Sequence, residues 1–349
     1  MGFMKRGPAI LLACVLAAAA TCATAEEKNP EKQAVQMIAP AAQHAIDKGL
    51  AWLAGRQNDD GSFGSGAYRS NVGICGLAGM ALMSGGSTPG RGPYGEQVNR
   101  AVDYLLANAQ QSGFITEAVS TTHGPMYGHG FATTFLAECY GMSLRPELRD
   151  KLAKAVKLII NSQNKEGGWR YYPIRDDADI SVTVCQVMAL RAARNAGLFV
   201  PNDVRDRAVA YVKSCQNADG GFMYMHSSPG ESDFPRSAAA VVALNSAGIY
   251  HDREITKALD YLMQFLPAER QSTRGSYYEY GQYYAVQAMW QAGGDRWARW
   301  YPAIRDELIA RQQQDGSWVS ASIFGSEYAT AMSIIVLQMP ENQLPIFQR

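Results

Sequence analysis

Long apolar runs are scarce in this chain. Of 349 residues, only Ala9 to Ala20 forms one, and it is too short to cross a bilayer. Net charge is missing as well: 32 Lys and Arg balance 32 Asp and Glu. A neutral surface gives no reason to expect nucleic acid or an anionic membrane as partner. Cysteines number six, and none stands in a CxxC or CxxH spacing, so no zinc-binding pattern is present. Cys75, Cys139 and Cys185 sit in small apolar helical runs, where cysteine is a small buried hydrophobe. Together with Cys215 they are expected as free core thiols, although an exported protein could pair them. Neither a metal nor a cofactor is expected.

The one apolar run has a recognisable setting. Lys5 and Arg6 precede it, and Ala23-Thr24-Ala25 places small residues ahead of Glu26. That is the pattern of a secretory signal peptide cleaved after Ala25. Leu11-Leu12-Ala13-Cys14 leaves a lipoprotein reading open. The expected organisation is a signal peptide over 1–25, a flexible segment over 26–40, a folded domain over 41–340 and a tail over 341–349. Cleavage leaves 324 of the 349 residues, in the periplasm or outside the cell.

What is present is a repeat. Gln57-Asn58-Asp59-Asp60-Gly61-Ser62-Phe63 returns as Gln163 to Trp169, Gln216 to Phe222 and Gln312 to Trp318. Gln110 and Gln264 open degenerate copies. The six glutamines stand 53, 53, 53, 48 and 48 residues apart, and such a period marks a repeat architecture. Each repeat holds two helical patterns. The first ends at the glutamine and is amphipathic, with Ile46, Leu50 and Leu53 on one face. The second follows the glycine loop and is apolar almost all round, as in Gly73 to Met83 or Ala329 to Leu337. A helix of the second kind must be covered. Six apolar helices sheathed by six amphipathic ones predict an all-α (α/α)6 toroid in one domain. In the loop, the aromatic folds back over the helix end and the glutamine is expected to bond orphan carbonyls there.

These phrases resemble the QW-type repeats of the terpenoid cyclase and protein prenyltransferase superfamily. The resemblance rests on Leu53-x3-Gln57-x3-Gly61-x-Phe63 and its three register-matched copies, which span the whole mature chain. It implies a deep cavity whose functional residues open the inner helices. The matching positions here are Asn71, His129, Asp179, Arg236, Tyr280 and Glu327. Helix N-termini converging there are expected to favour an anionic group. Tyr127-Gly128-His129 is similar to the His-Gly segment with which prenyltransferases hold a diphosphate. Asp177-Ala178-Asp179-Ile180 is similar to the Asp-x-Asp-Asp of class II cyclases, which implies Asp179 as catalytic acid beside Asp177. That role needs a carboxyl kept protonated by an apolar site and a neighbouring carboxylate. An ion pair between Asp179 and Arg236 is expected to compete with it. The family's zinc ligands correspond to Asp179, Ser181 and Arg236, and no soft zinc site can be built from these. A zinc-dependent protein prenyltransferase is thereby excluded.

Aromatic residues complete the expected site: Trp169 with Tyr171 and Tyr172, Tyr224, the tyrosines 277 to 284, and Trp318. Together with Asp233 they imply a hydrophobic, isoprenoid-like small molecule, held with or without cyclase-like chemistry. The other reading is a non-catalytic envelope protein that binds a peptide, a polysaccharide or a partner protein.

Overall fold

The computed structural model describes Gly2 and residues 35–117, 124–267, 277–320 and 322–348. Among them twelve α-helices follow one another as hairpins. They are α1 (Pro40–Gly55), α2 (Val72–Ser84), α3 (Gly95–Ala107), α4 (Pro125–Cys139), α5 (Leu148–Ser162) and α6 (Ile180–Asn195). The second half holds α7 (Asn202–Ser214), α8 (Phe234–Ser246), α9 (Arg253–Met263), α10 (Tyr278–Ala292), α11 (Gly294–Arg311) and α12 (Ser326–Gln338).

Burial sorts these helices into two rings. Every residue of α2 is buried, and so is every residue of α4 except Tyr127. By contrast α1 buries one face, through Ala42, Ile46, Leu50 and Leu53. A helix apolar on all sides can only sit inside, so the even-numbered helices form an inner ring and the odd-numbered ones a sheath. Each inner helix packs on the next, α12 packs back on α2, and α11 packs on α1. The ring is closed, as the repeat period predicts. Its four described core cysteines are buried and unbridged.

The repeated loop is the fastener between neighbours. Gln163 Nε2 donates to Gly167 O within its own loop and to Val204 O in α7, both at 2.8 Å. Gln57 reaches Gln97 O in α3, Gln216 reaches Glu254 O in α9, and Gln312 reaches Ala45 O in α1. Each such bond contributes about 1 kcal/mol. The glutamine is therefore a strut to the next outer helix, which corrects its expected role at the end of its own. That role belongs to tryptophan. Trp169 Nε1 donates to Ile159 O and Trp318 Nε1 to Leu308 O, each at 2.8 Å. Both carbonyls lie in the last turn of an outer helix, where no backbone N–H can reach them. The glycine of the loop is fixed by sterics: Gly167 has φ +103°, and a Cβ there would lie 2.2 Å from Arg207 O of α7.

The seam between the last and first repeats carries extra bonds. Trp52 Nε1 donates to Asp315 Oδ2 at 3.0 Å, and Arg56 donates to Glu327 Oε1 at 3.2 Å. Beyond α12 the chain folds under the barrel. Leu344, Ile346 and Phe347 are buried, Gln291 donates to Phe347 O at 2.9 Å, and Arg191 donates to Gln348 O at 2.8 Å. Gln291 and Arg191 stand in the later turns of α10 and α6. The expected tail thus covers the end of the barrel opposite the inner helix N-termini.

Candidate functional site

The N-terminal ends of the inner helices surround a cavity of about 600 Å3. All six contribute. Ile74 and Leu77 come from α2, Tyr127 and Phe131 from α4, and Ser181 from α6. Arg236 of α8, Tyr280 of α10 and Tyr328 of α12 complete the circle. The loops ahead of these helices add Tyr68, Tyr171, Tyr224, Tyr277 and Phe324. Below them, ring contacts run from Phe131 to Tyr283 at 6.2 Å and from Tyr283 to Phe347 at 6.4 Å. Aromatic side chains therefore close the far end. Burial holds the hydroxyls of Tyr127, Tyr280 and Tyr328 well above the usual phenol range, so these phenols are neutral.

Two of the helix ends at the mouth, those of α2 and α6, are engaged by side-chain caps, whereas α4, α8, α10 and α12 have no side-chain cap among the described residues. Asn71 Oδ1 accepts from the N–H groups of Gly73 and Ile74 at 3.0 Å, capping α2. Glu117 Oε1 accepts from Asn71 Nδ2 at 2.6 Å and from Val72 N–H at 3.0 Å. Asp179 Oδ1 accepts from Val182 N–H at 2.9 Å, capping α6. At these two capped ends the expectation that helix N-termini favour an anionic group is corrected. Side chains of the protein, two of them carboxylates, already take the place an anion would fill. Arg236 is spoken for too. It donates to Phe222 O at 3.1 Å and Glu231 O at 2.9 Å, and stands 3.7 Å from Asp233.

The structure divides the residues singled out in the sequence. Asn71, Tyr127, Asp233, Arg236 and Tyr280 line the cavity together. His129, Trp169, Asp177, Asp179, Trp318 and Glu327 do not. His129 lies two residues beyond Tyr127, some 200° around the helix. Its Nδ1 accepts from Ile115 N–H at 3.1 Å, and its Nε2 lies 3.3 Å from Ala155 O. Complete burial lowers this imidazole to about 4, so it stays neutral. It ties a degenerate loop to α5. Trp169 and Trp318 are the helix-end donors, and Trp318 borders a separate pocket of about 310 Å3. Glu327 accepts from Arg56 and Ser65 and holds the seam.

Asp179 is fully buried, and burial raises its carboxyl to about 6; the Val182 bond, the nearby Tyr224 hydroxyl and Arg170 pull the other way. Its second oxygen makes no well-formed hydrogen bond. Two expectations change at this point. Asp177 pairs with Arg170 and is not what raises Asp179. The cation facing Asp179 is Arg170, with Nε 3.9 Å from Oδ2, because Arg236 is held by the carbonyls of its own loop. Among the described residues no cluster of three or more His, Cys, Asp or Glu could hold a metal ion.

Sequence reasoning missed Tyr68, Glu117, Phe131, Phe324 and Tyr328. Phe131 was recoverable, since it lies four residues after Tyr127 on the same helical face. Tyr68 and Phe324 meet at 5.1 Å between ring centroids, but they come from loops without period.

Comparison with known proteins agrees with this geometry. The model of the prenyltransferase alpha-alpha toroid domain matches residues 12–132 and 131–271. A sequence search of curated proteins gave no match. Among solved structures, the type II terpene cyclase MstE of Scytonema, in complex with geranylgeranyl dihydroxybenzoate, is similar with a TM-score of 0.64 at 16% identity, over 89% of this chain and 99% of that one. A D-mannose isomerase is similar with a TM-score of 0.61 at 14% identity, over 85% and 96%. The GH76A alpha-1,6-mannanase of Salegentibacter sp. HEL1_6 gives 0.63 at 8% identity, over 86% and 99%. At these identities the likeness concerns the fold.

Proposed function

The chain belongs to the prenyltransferase alpha-alpha toroid domain family, and from that premise we propose that it binds a hydrophobic, isoprenoid-like small molecule in its central cavity. We take it to act after export, in the periplasm or outside the cell. One observation carries the reading: every one of the six repeats sends tyrosine or phenylalanine to the cavity wall, around a volume suited to one small ligand. Such rings present large apolar faces at little entropic cost. Acid chemistry at Asp179 is left out, because its carboxyl does not line the cavity and faces Arg170.

The test is a titration of the purified mature protein with a fluorescent polyprenyl probe. Wild type binds saturably with one site. Tyr127→Ala and Tyr280→Ala, which open the wall, each weaken binding by about tenfold. A carbohydrate reading is favoured by one feature, the adjacent Asn71 and Glu117 on an aromatic wall. Direct binding of mannose oligomers, with no binding of the polyprenyl probe, would establish that reading instead.

A further inference from the structure

We propose that the cavity selects an uncharged isoprenoid, a hydrocarbon or a polyprenyl alcohol, and discriminates against the same chain carrying a diphosphate. This rests on the isoprenoid reading above and narrows it to a substrate class.

A diphosphate needs partners for its charge. It is held by cations, by free backbone N–H groups, or by both at a helix N-terminus. The toroid brings inner helix N-termini to one mouth, yet the first-turn N–H groups of α2 are consumed by Asn71 and Glu117. That of Val182 in α6 is consumed by Asp179. Among the described residues α4, α8, α10 and α12 have no side-chain cap, but the last three place a carboxylate, Asp233, Glu279 or Glu327, at the N-cap or in the first turn. The charged side chains lining the cavity among the described residues are Glu117, Asp233 and Arg236. The one arginine already serves two carbonyls and Asp233. The described wall therefore carries more negative than positive charge, beside neutral phenols. Against this described wall an entering diphosphate would meet the Glu117 and Asp233 carboxylates and would lose water at a cost.

The same wall suits a hydroxyl. The Tyr171 and Tyr224 hydroxyls lie 2.6 Å apart at the cavity surface. Either oxygen has lone pairs to accept from an alcohol. A pure hydrocarbon needs only the ring faces.

The experiment pairs two probes of equal chain length, geranylgeraniol and geranylgeranyl diphosphate, titrated into the purified mature chain near pH 7.5. Expected is an affinity for the alcohol greater by on the order of tenfold or more. Glu117→Gln keeps an acceptor for Asn71 and Val72 while removing the charge. Asp233→Asn removes the other charge at a site that is half exposed. Each is expected to narrow the alcohol-to-diphosphate ratio by several-fold. Equal or tighter binding of the diphosphate overturns this proposal and leaves the isoprenoid reading standing. A ratio that neither variant moves shows that the carboxylates are not its cause and overturns the proposal as well. Binding of neither probe removes the isoprenoid reading, and this proposal with it.

Discussion

Asp179 and Arg170 face each other across a buried gap, with Oδ2 and Nε 3.9 Å apart and neither atom in a well-formed hydrogen bond. The pair is too far apart for a strong ion pair. Burial therefore dominates, and the carboxyl of Asp179 rises from 3.8 to about 6. A raised carboxyl makes the fold bind a proton that the unfolded chain releases. The stability this gives is whole below about pH 4 and is lost as pH rises through 6. The shift corresponds to about 3 kcal/mol. Asp179→Asn keeps the cap on α6 and removes the titration. Urea midpoints at pH 4.5 and 7.5 are expected to move in the variant's favour by about 2 kcal/mol toward the higher pH. A pH-independent difference between the two proteins would contradict this account of Asp179.

Trp169 is expected to matter for stability and not for ligand. Trp169→Phe removes the shorter of the two bonds to Ile159 O and leaves only the 3.2 Å bond from Ser162 Oγ, at a cost of about 1 kcal/mol. Chemical denaturation reads the loss, while affinity for a polyprenyl probe should stay within about twofold. Loss of affinity with unchanged stability would return Trp169 to the site.

The loop glycines can be ranked. Gly167→Ala places a Cβ 2.2 Å from Arg207 O at positive φ, whereas Gly197→Ala has positive φ and nothing within 4 Å. The second change is expected to cost about 1 kcal/mol from backbone strain. The first should cost at least twice that, because α7 must move away from the loop. Equal costs would mean that the loop does not fasten neighbouring repeats.

The tail gives a second pH dependence. Burial pushes Glu138 up to about 7, opposed by the Ile346 N–H and by Arg191. Its proton therefore supports the folded tail below about pH 4.5, and that support fades as pH passes 7. Hydrogen exchange at residues 344–348 should quicken between pH 6 and 8.5, after correction for intrinsic rates, and Glu138→Gln should flatten the change. Identical pH profiles in both proteins would show that Glu138 does not govern the tail.

Much of the fold was legible in the sequence because the period writes it six times. Gln57 and its equivalents mark where each hairpin turns, and the apolar helices announce an interior. The bonding inside the loop was not legible. Composition cannot tell whether Gln163 reaches its own helix or Val204 of the next, since the outcome depends on how closely two outer helices approach. The site was legible at Asn71, Tyr127, Asp233, Arg236 and Tyr280, which open inner helices or stand in their first turns. It failed at His129, which stands in the second turn of α4 and not at its start and is turned to α5, and at Glu327, which opens α12 but is drawn to the seam by Arg56. Residue type and position did not encode that choice; the partners did.

The central claim is that the aromatic cavity holds an isoprenoid-like molecule. Native mass spectrometry of the mature chain purified from its own source, followed by solvent extraction of what it carries, tests this most directly. The account predicts one bound species per chain that organic solvent releases and whose mass and fragments are those of an isoprenoid. A chain that carries a sugar or a peptide instead, or that stays empty when offered polyprenyl lipids, would contradict it.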